Sequence, residues 1–480
     1  MTRNSMIGAA GKRVLELIGM SATSLIVLGG LIAALAAGRA AAEVPCPPQL
    51  DGAPAKACFS ATSDPIGPTS VTPDYADPVS SVSLLNGRVA IGVANDAELS
   101  AALNAVTCGQ DIMLATGLYQ ANHEVSISCP ANNPVRIVGA AGFSAVLNGT
   151  ITLNGARTIL TGARITGNVF CHGTNNKIIA NQFTGWSGNA INPGGNNTSG
   201  NSQCEIAYNE AWSPAPWGLD TGSNTQFRMF IRMTTGGNGQ SSSVHRDVWV
   251  HHNFVHDMPE KPNPNRFSSG QSDAMEPGES NYDWTPSFDC GWYIESNLHE
   301  AHRQTGGGAV YDLKCGGSVV RYNTIRDSGN PRIDVRFGHS SVLESNWFET
   351  GGSSIGGNGN KLLCNRFGSG DLGIRILAGN VPFNSSENKH PQARDTLVSG
   401  NIGSLRIGHQ YSSDYTFPAM NTVVENHTGS ISLVAESGTI DRRNQAGSQT
   451  CSPAVELTRD NVGPAALAGA SPAYRNARGL

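Results

Sequence analysis

The segment Tyr311–Phe348, YDLKCGGSVVRYNTIRDSGNPRIDVRFGHSSVLESNWF, contains two copies of one pattern. In each copy a short apolar run leads to an Asn, and a polar turn ends the copy; Asn323 and Asn346 are 23 positions apart. Lys314 and Arg336 stand ahead of the two copies and are 22 positions apart, so they recur at about the same period. If each copy is one coil of a solenoid, the two basic residues lie one above the other on one face.

The same pattern recurs along most of the chain. From position 135 onward the sequence consists of short β-rich runs separated by Gly, Asn and Ser. Most spacings between the Asn residues are close to one coil of a parallel β-helix, and a repeat of this kind must stack to bury its apolar face. We expect the Asn to adopt the left-handed conformation of a sharp bend, and stacked copies to bond to one another as a ladder. The positions are Asn181, Asn209, Asn253, Asn297, Asn323, Asn346, Asn365, Asn401, Asn426 and Asn444.

Composition agrees with an all-β solenoid. Of 480 residues, 57 are Gly and only 14% are charged, against about 25% charged residues in typical globular proteins. The net charge is −5, whereas nucleic-acid-binding proteins usually carry a basic surface, so we expect no nucleic-acid partner.

The chain divides into four predicted segments. Residues 1–42 indicate a signal peptide with an Ala-rich cleavage site, and an uncleaved membrane anchor is the alternative. Residues 43–85 predict an irregular leader, 86–450 the β-helix domain, and 451–480 a C-terminal tail. A short helix capped by Asp96 would close the N-terminal end of the solenoid. Long insertions at 213–247, 260–289 and 377–395 are expected to form loops on one face.

The cysteines support an oxidising compartment. There are ten, an even number that permits full pairing but does not fix the connectivity. We predict Cys46–Cys58, Cys108–Cys129 and a stacked Cys290–Cys315 pair beside Lys314. The protein is therefore expected to be secreted or periplasmic, in contact with the membrane only if the N-terminal segment is uncleaved, and to act as a monomer or dimer.

A Lys and an Arg stacked on a β-helix suit abstraction of the proton α to a uronate carboxylate. The base must be neutral, and both burial and the nearby charge of Arg336 would lower the pKa of Lys314. Arg336 stays charged and would stabilise the enolate-like intermediate before β-elimination.

The chain resembles polysaccharide lyase family 6, the alginate lyases and chondroitinase B. The resemblance rests on DLKCGGSVVRYNTIRDSG, on IDVRFGHSSVLESNWFETG and on GIRILAGN at 373–380. It implies a right-handed parallel β-helix that cleaves an acidic polysaccharide, alginate first and glycosaminoglycan next. It also implies that Lys314 is the Brønsted base, Arg336 the acid and Arg375 a substrate-binding residue. We add four further candidates for substrate binding: Arg332, His339, Glu276 and Trp284.

The sequence departs from this family where calcium would bind. Family members commonly have two Glu residues seven and five positions before the Lys, and here those positions are Gly307 and Ala309. Carboxylate oxygens are the ligands that calcium requires. The sequence therefore lacks the usual calcium ligands, and Asp273, Glu276 and Asp312 are the alternative ligands.

Other functions remain as alternatives. Asp273 and Glu276 would be the acid pair of a glycosidase, a uronate epimerase would share the proton abstraction, and a carbohydrate-binding β-helix would need no catalysis. The cluster His251, His252 and His256 is interpreted as structural, with substrate or metal binding as alternatives.

Overall fold

The computed structural model describes twelve parts of the chain. They are residues 88–194, 203–215, 228–232, 248–259, 273–278, 291–302, 309–328, 331–368, 373–382, 389–434, 436–442 and 453–469. The predictions for 1–42, 43–85, Cys46–Cys58, Trp284 and Gly307 lie outside these residues. All described residues belong to one compact unit, Val44–Leu480.

The described residues form a right-handed parallel β-helix of three sheets, which we call A, B and C. Sheet A contains the strands Ala90–Val93, Asp111–Leu114, Val135–Val138, Thr158–Thr161, Asn176–Ile179, Cys204–Ala207, Val248–His251, Tyr293–Glu295, Val319–Arg321, Val342–Glu344, Lys361–Leu363, Leu397–Ser399, Val423–Glu425 and Ile440–Arg442. Sheet B contains Gly117–Tyr119, Ala145–Leu147, Arg164–Ile165, Gln182–Thr184, Glu210–Trp212, Phe254–His256, Leu298–Glu300, Thr324–Arg326, Trp347–Phe348 and Arg366–Phe367. Sheet C contains His123–Val125, Ile151–Leu153, Val169–Cys171, Gly188–Asn192, Arg228–Arg232, Met275–Glu276, Tyr311–Leu313, Arg332–Val335, Gly352–Ile355, Gly373–Leu377, Leu405–His409 and Ile431–Leu433. Two short strands, Ala419–Met420 and Glu436–Ser437, pair separately.

Two α-helices flank these coils. Helix α1 is Asp96–Ala105 and helix α2 is Gly463–Gly469; single 3₁₀ turns span Ala141–Phe143 and Arg459–Asn461. The predicted N-terminal helix is confirmed, but the prediction of its N-cap residue is wrong. Asn95, not Asp96, accepts the hydrogen bond from the backbone N–H of Glu98. In the described part of the chain, no helix has the length and apolar character needed to cross a membrane.

Side-chain alternation along sheet C separates the core from the outer face. Tyr311 and Leu313 point into the single large apolar core, together with the equivalent residues of neighbouring coils. Asp312 lies between them and therefore faces outward. In-register pairing places Asp334, Ser354 and Arg375 above Asp312 in one outward column.

The predicted Asn ladder is present at the corner between sheets A and B. Asn297 Nδ2 donates to Asn323 Oδ1 and Asn323 Nδ2 donates to Asn346 Oδ1, both at 3.0 Å. The expected backbone conformation of these three Asn residues is wrong, because the left-handed residue is the one that precedes each of them. Ser296 and Tyr322, for example, have φ of 56°. The bend thus turns the Asn side chain inward to satisfy buried backbone groups. The rungs are Asn181, Asn209, Asn253, Asn297, Asn323, Asn346, Asn365 and Asn401.

Disulfides and the C-terminal tail brace the coils. The Cys108–Cys129 pair is confirmed, and Cys171–Cys204 is a second bond that the sequence reasoning missed. Cys315 is disulfide-bonded, but its predicted partner Cys290 lies outside the described residues. In the tail, Leu457 and Val462 pack against Phe254 and Leu298 on the outside of sheet B.

Candidate active site

Lys314 and Arg336 occupy equivalent positions of adjacent coils. Each directly follows a strand of sheet C, and those strands pair with Leu313 opposite Val335. The Arg336 backbone N–H donates to the Leu313 carbonyl at 3.1 Å, so the register continues past the strand ends. The equal spacing of these two residues in the sequence therefore corresponds to one coil of the solenoid.

The environment of Lys314 is negatively charged. Its Nζ lies 2.8 Å from Glu276 Oε1 and 3.2 Å from Asp312 Oδ2, and the residue is 2% exposed. Arg232 Nε also reaches Glu276, at 3.2 Å. Burial lowers the pKa of Lys314, but the negative charges of Asp312, Glu276 and Asp273 outweigh burial and raise it. The expectation that burial and Arg336 give Lys314 a lowered pKa is therefore wrong for this arrangement.

Three carboxylates converge beside Lys314. One oxygen from each of Asp273, Glu276 and Asp312 lies within 4.8 Å of the others, and all three residues are buried. Burial, followed by the charges of Asp312 and Glu276, raises the pKa of Asp273 to about 8. Asp273 Oδ1 also accepts the backbone N–H of Ala309 at 2.7 Å. The three predicted alternative calcium ligands thus lie together.

Asp312 supplies the oxygen best placed for a further ligand. Among the described residues, its Oδ1 has no hydrogen-bond partner although the residue is buried. A buried oxygen without a partner beside two other carboxylates suits a hard cation such as calcium. The three carboxylates therefore fit a divalent ion, even though the sequence lacks Glu at the two positions where the lyase family usually has it.

Arg336 is held by aromatic and imidazole groups. Its Nε donates to His390 Nε2 at 2.9 Å, and its guanidinium carbon lies 5.3 Å from the centre of the Phe337 ring. His390 Nδ1 lies 2.6 Å from the hydroxyl oxygen of Tyr415. Burial, and then the charge of Arg336, lower the pKa of His390 to about 4.

The outward column continues this polar surface away from Lys314. Arg332 pairs with Asp334 at 3.3 Å, and Arg375 is half-buried three coils beyond Asp312. Tyr411 donates to Ser354 Oγ at 2.8 Å between them. Arg332 and Arg375 are thus on the same sheet as the Lys314–Arg336 pair, as expected of residues that contact one ligand.

The other predicted binding residues are placed differently. His339 is buried, its Nδ1 accepts the Asn358 backbone N–H at 3.0 Å, and burial lowers its pKa to about 4. That contact supports a turn of the next coil. His251 belongs to sheet A and bonds to Glu205 at 3.1 Å, and His256 belongs to sheet B, so these histidines are not on the sheet of Lys314.

Sequence reasoning missed His390, Tyr411 and Tyr415. None belongs to the repeating pattern, because His390 comes from the 377–395 insertion and the two tyrosines from the turn after Leu405–His409. For His390, the available signal was the insertion itself, which was expected to form a loop on one face.

Comparisons with known proteins agree with this architecture. No protein-family model matches the sequence, and no curated protein matches it. Among solved structures, the PL6 family alginate lyase AlyGC is similar with a TM-score of 0.57 at 15% identity, covering 77% of this chain and 54% of that one. The chain thus spans about half the length of AlyGC.

Two further solved structures match over most of their own length. The PL6 family polysaccharide lyase from Pseudopedobacter saltans has a TM-score of 0.56 at 14% identity, covering 78% of this chain and 99% of that one. A mannuronic acid specific family 6 lyase from human gut microbiota has a TM-score of 0.56 at 13% identity, covering 81% and 98%. At these identities the likeness shows the fold: this chain has the parallel β-helix of these polysaccharide lyases.

Proposed function

We propose that the protein is an exported polysaccharide lyase that cleaves a uronate-containing polymer by β-elimination. Alginate is the first candidate substrate and a glycosaminoglycan the second. The observation that carries the proposal is the placement of Lys314 and Arg336 at equivalent positions of adjacent coils, on the sheet that also carries Arg332 and Arg375. The structural likeness to alginate lyases, one of them in a complex with a trisaccharide, supports the substrate class.

Lys314 would remove the proton α to the uronate carboxylate. To do so it must first lose its own proton, and its contacts with Glu276 and Asp312 oppose that loss. Arg336 remains charged and would bind the substrate carboxylate or the leaving oxygen as negative charge develops there. Arg375 would bind a second carboxylate further along the column.

We propose calcium as the ion that the cluster Asp273, Glu276 and Asp312 would hold. When bound, calcium would supply positive charge for the substrate carboxylate. Carboxylates engaged with an ion would also hold the Lys314 proton less strongly, because their negative charge is what raises its pKa. The lysine and the ion therefore compete for the same oxygens.

The structure argues against the glycosidase alternative. Glu276 is paired with Lys314 and Arg232, and Asp273 accepts the backbone N–H of Ala309. A glycosidase needs two carboxyl groups that flank the scissile bond. A uronate epimerase would use the same base and is separated only by its product.

The decisive experiment measures the new double bond. The mature protein is incubated with alginate, polymannuronate, polyguluronate, dermatan and chondroitin, with calcium or a chelator, while ultraviolet absorbance is followed. We expect a rise on at least one polymer and its loss in Lys314→Ala, with Lys361→Ala, a half-buried lysine on sheet A, as the matched control. No rise on any polymer, or full activity in Lys314→Ala, would contradict the proposal.

A further inference from the structure

His390 has both ring nitrogens engaged in a fixed direction. Nε2 accepts from Arg336 Nε at 2.9 Å, so Nε2 carries no proton. A neutral imidazole then carries its proton on Nδ1, which donates to the Tyr415 oxygen 2.6 Å away. Arg336 therefore fixes the tautomer of His390, and the Tyr415 oxygen accepts the remaining N–H.

Aromatic rings fix the plane of this imidazole. Phe337, Tyr411 and Tyr415 lie edge-on to it, with ring centres 6.1, 6.0 and 5.6 Å away and interplanar angles of 88°, 84° and 90°. Tyr415 itself is 5% exposed, so its hydroxyl position is set by packing. An imidazole confined on three sides can hold a guanidinium in one orientation.

The hydrogen bond to His390 uses one N–H donor of the forked Arg336 guanidinium and leaves its other N–H donors. A guanidinium has five N–H donors in a rigid plane, and fixing Nε orients the four on the two terminal nitrogens. Among the described residues, those terminal nitrogens have no hydrogen-bond partner, and Arg336 is only partly buried. The fork is therefore oriented and available for a carboxylate.

We propose that His390, held in place by Tyr415, is a positioning residue that orients Arg336 toward the anionic group of the substrate. This inference rests on the proposed function for its catalytic consequence, but the contact itself is independent of any reaction. Rigid placement matters because an error of about 1 Å in a catalytic group costs about 10²-fold in rate.

Charged groups near His390 give the contact a pH dependence. Arg336 and Arg332 disfavour its protonation, whereas Asp312 and Asp414 favour it; Tyr411 and Tyr415 face it as neutral groups. Burial is the largest influence and keeps the ring neutral down to about pH 4. Below that pH, both nitrogens carry protons and Nε2 no longer accepts from Arg336.

The first test needs no activity. Nitrogen NMR on protein with labelled histidine reports the tautomer of His390, assigned by the signal that His390→Gln removes. We expect the neutral ring with its proton on Nδ1 at pH 7, and a shift of the Nδ1 signal in Tyr415→Phe, which removes the acceptor of that proton. A proton on Nε2 at pH 7 would overturn the proposal whether or not the protein is a lyase.

The second test uses kinetics on the polymer that is cleaved. We expect kcat to fall about 10- to 100-fold in His390→Leu with a smaller change in KM. His390→Gln should recover much of the loss, since its amide oxygen can accept from Arg336. His172→Leu, a histidine after another strand of sheet C, is the control.

Unchanged kcat in His390→Leu would overturn the positioning role. If no polymer is cleaved, the lyase proposal fails, and the contact is then judged by hydrogen exchange at Arg336 Nε. That exchange should be faster in His390→Leu than in the wild type; equal exchange would overturn the inference.

Discussion

Replacement of Lys314 separates its structural charge from its proposed role as a base. Lys314→Ala removes the cation that lies 2.8 Å from Glu276 and 3.2 Å from Asp312. Lys314→Arg retains a positive charge beside the same carboxylates, but arginine does not give up its proton in proteins. The two variants therefore lose the base equally and differ in whether the buried carboxylates keep a cation.

The contacts predict a large loss of stability for the alanine variant. With an effective dielectric constant of about 20, the two ion pairs are each worth about 5 to 6 kcal/mol of Coulomb attraction, which desolvation largely offsets. Removing one partner of such a buried pair typically costs about 3 to 5 kcal/mol. We expect that loss in the urea-unfolding free energy of Lys314→Ala and a clearly smaller one in Lys314→Arg.

Activity should follow the base and not the charge. General base catalysis contributes about 10²- to 10⁴-fold, so both variants should lose that factor in kcat at temperatures where they remain folded. Lyase activity in Lys314→Arg close to that of the wild type would refute the assignment of Lys314 as base. Wild-type stability in Lys314→Ala would refute the buried ion-pair network.

Three further outcomes follow from the same structure. In the presence of a chelator, the rate of cleavage should rise with pH only above the ordinary pKa of lysine, because the neighbouring carboxylates raise the pKa of Lys314. Added calcium should move that rise to lower pH. A pH–rate profile that calcium does not change would contradict the claim that Lys314 and the ion share the same carboxylate oxygens. The pKa of Asp273 is raised to about 8, so its contribution to the unfolding free energy should be largest below the ordinary carboxyl pKa and be lost as pH rises through about 8. Urea titrations across pH should show a shallower fall in Asp273→Asn. Asn323→Ala should lower the free energy of unfolding by about 3 to 6 kcal/mol, since it leaves two or more buried backbone groups without partners. The control Asn148→Ala, at an exposed position, should lower it by less than about 1 kcal/mol. Equal losses on urea unfolding would exclude the ladder as a source of stability.

Periodicity predicted the features that repeat with every coil. The recurrence of Asn323 and Asn346 follows from one coil per repeat, and that same coil length places Lys314 and Arg336 in equivalent positions. Backbone pairing between coils enforces this register, so sequence spacing translates directly into space. The Asn ladder was predictable for the same reason.

Features that depend on non-repeating segments were not predictable. The pKa direction of Lys314 depends on Glu276, which lies 38 positions away in the preceding coil, and on Asp312, which alternation points outward beside it. His390 reaches Arg336 from an insertion 54 positions later. No periodic pattern relates these distances, because loop lengths vary from coil to coil.

The central claim is that the glycosidic bond of the polymer is broken by β-elimination and not by hydrolysis. The most direct measurement is mass spectrometry of the oligosaccharide products. Elimination predicts products with an unsaturated non-reducing end that are lighter by one water than hydrolysis products of the same length, and their absence in Lys314→Ala. A digest in which all products are saturated would show hydrolysis and contradict the account.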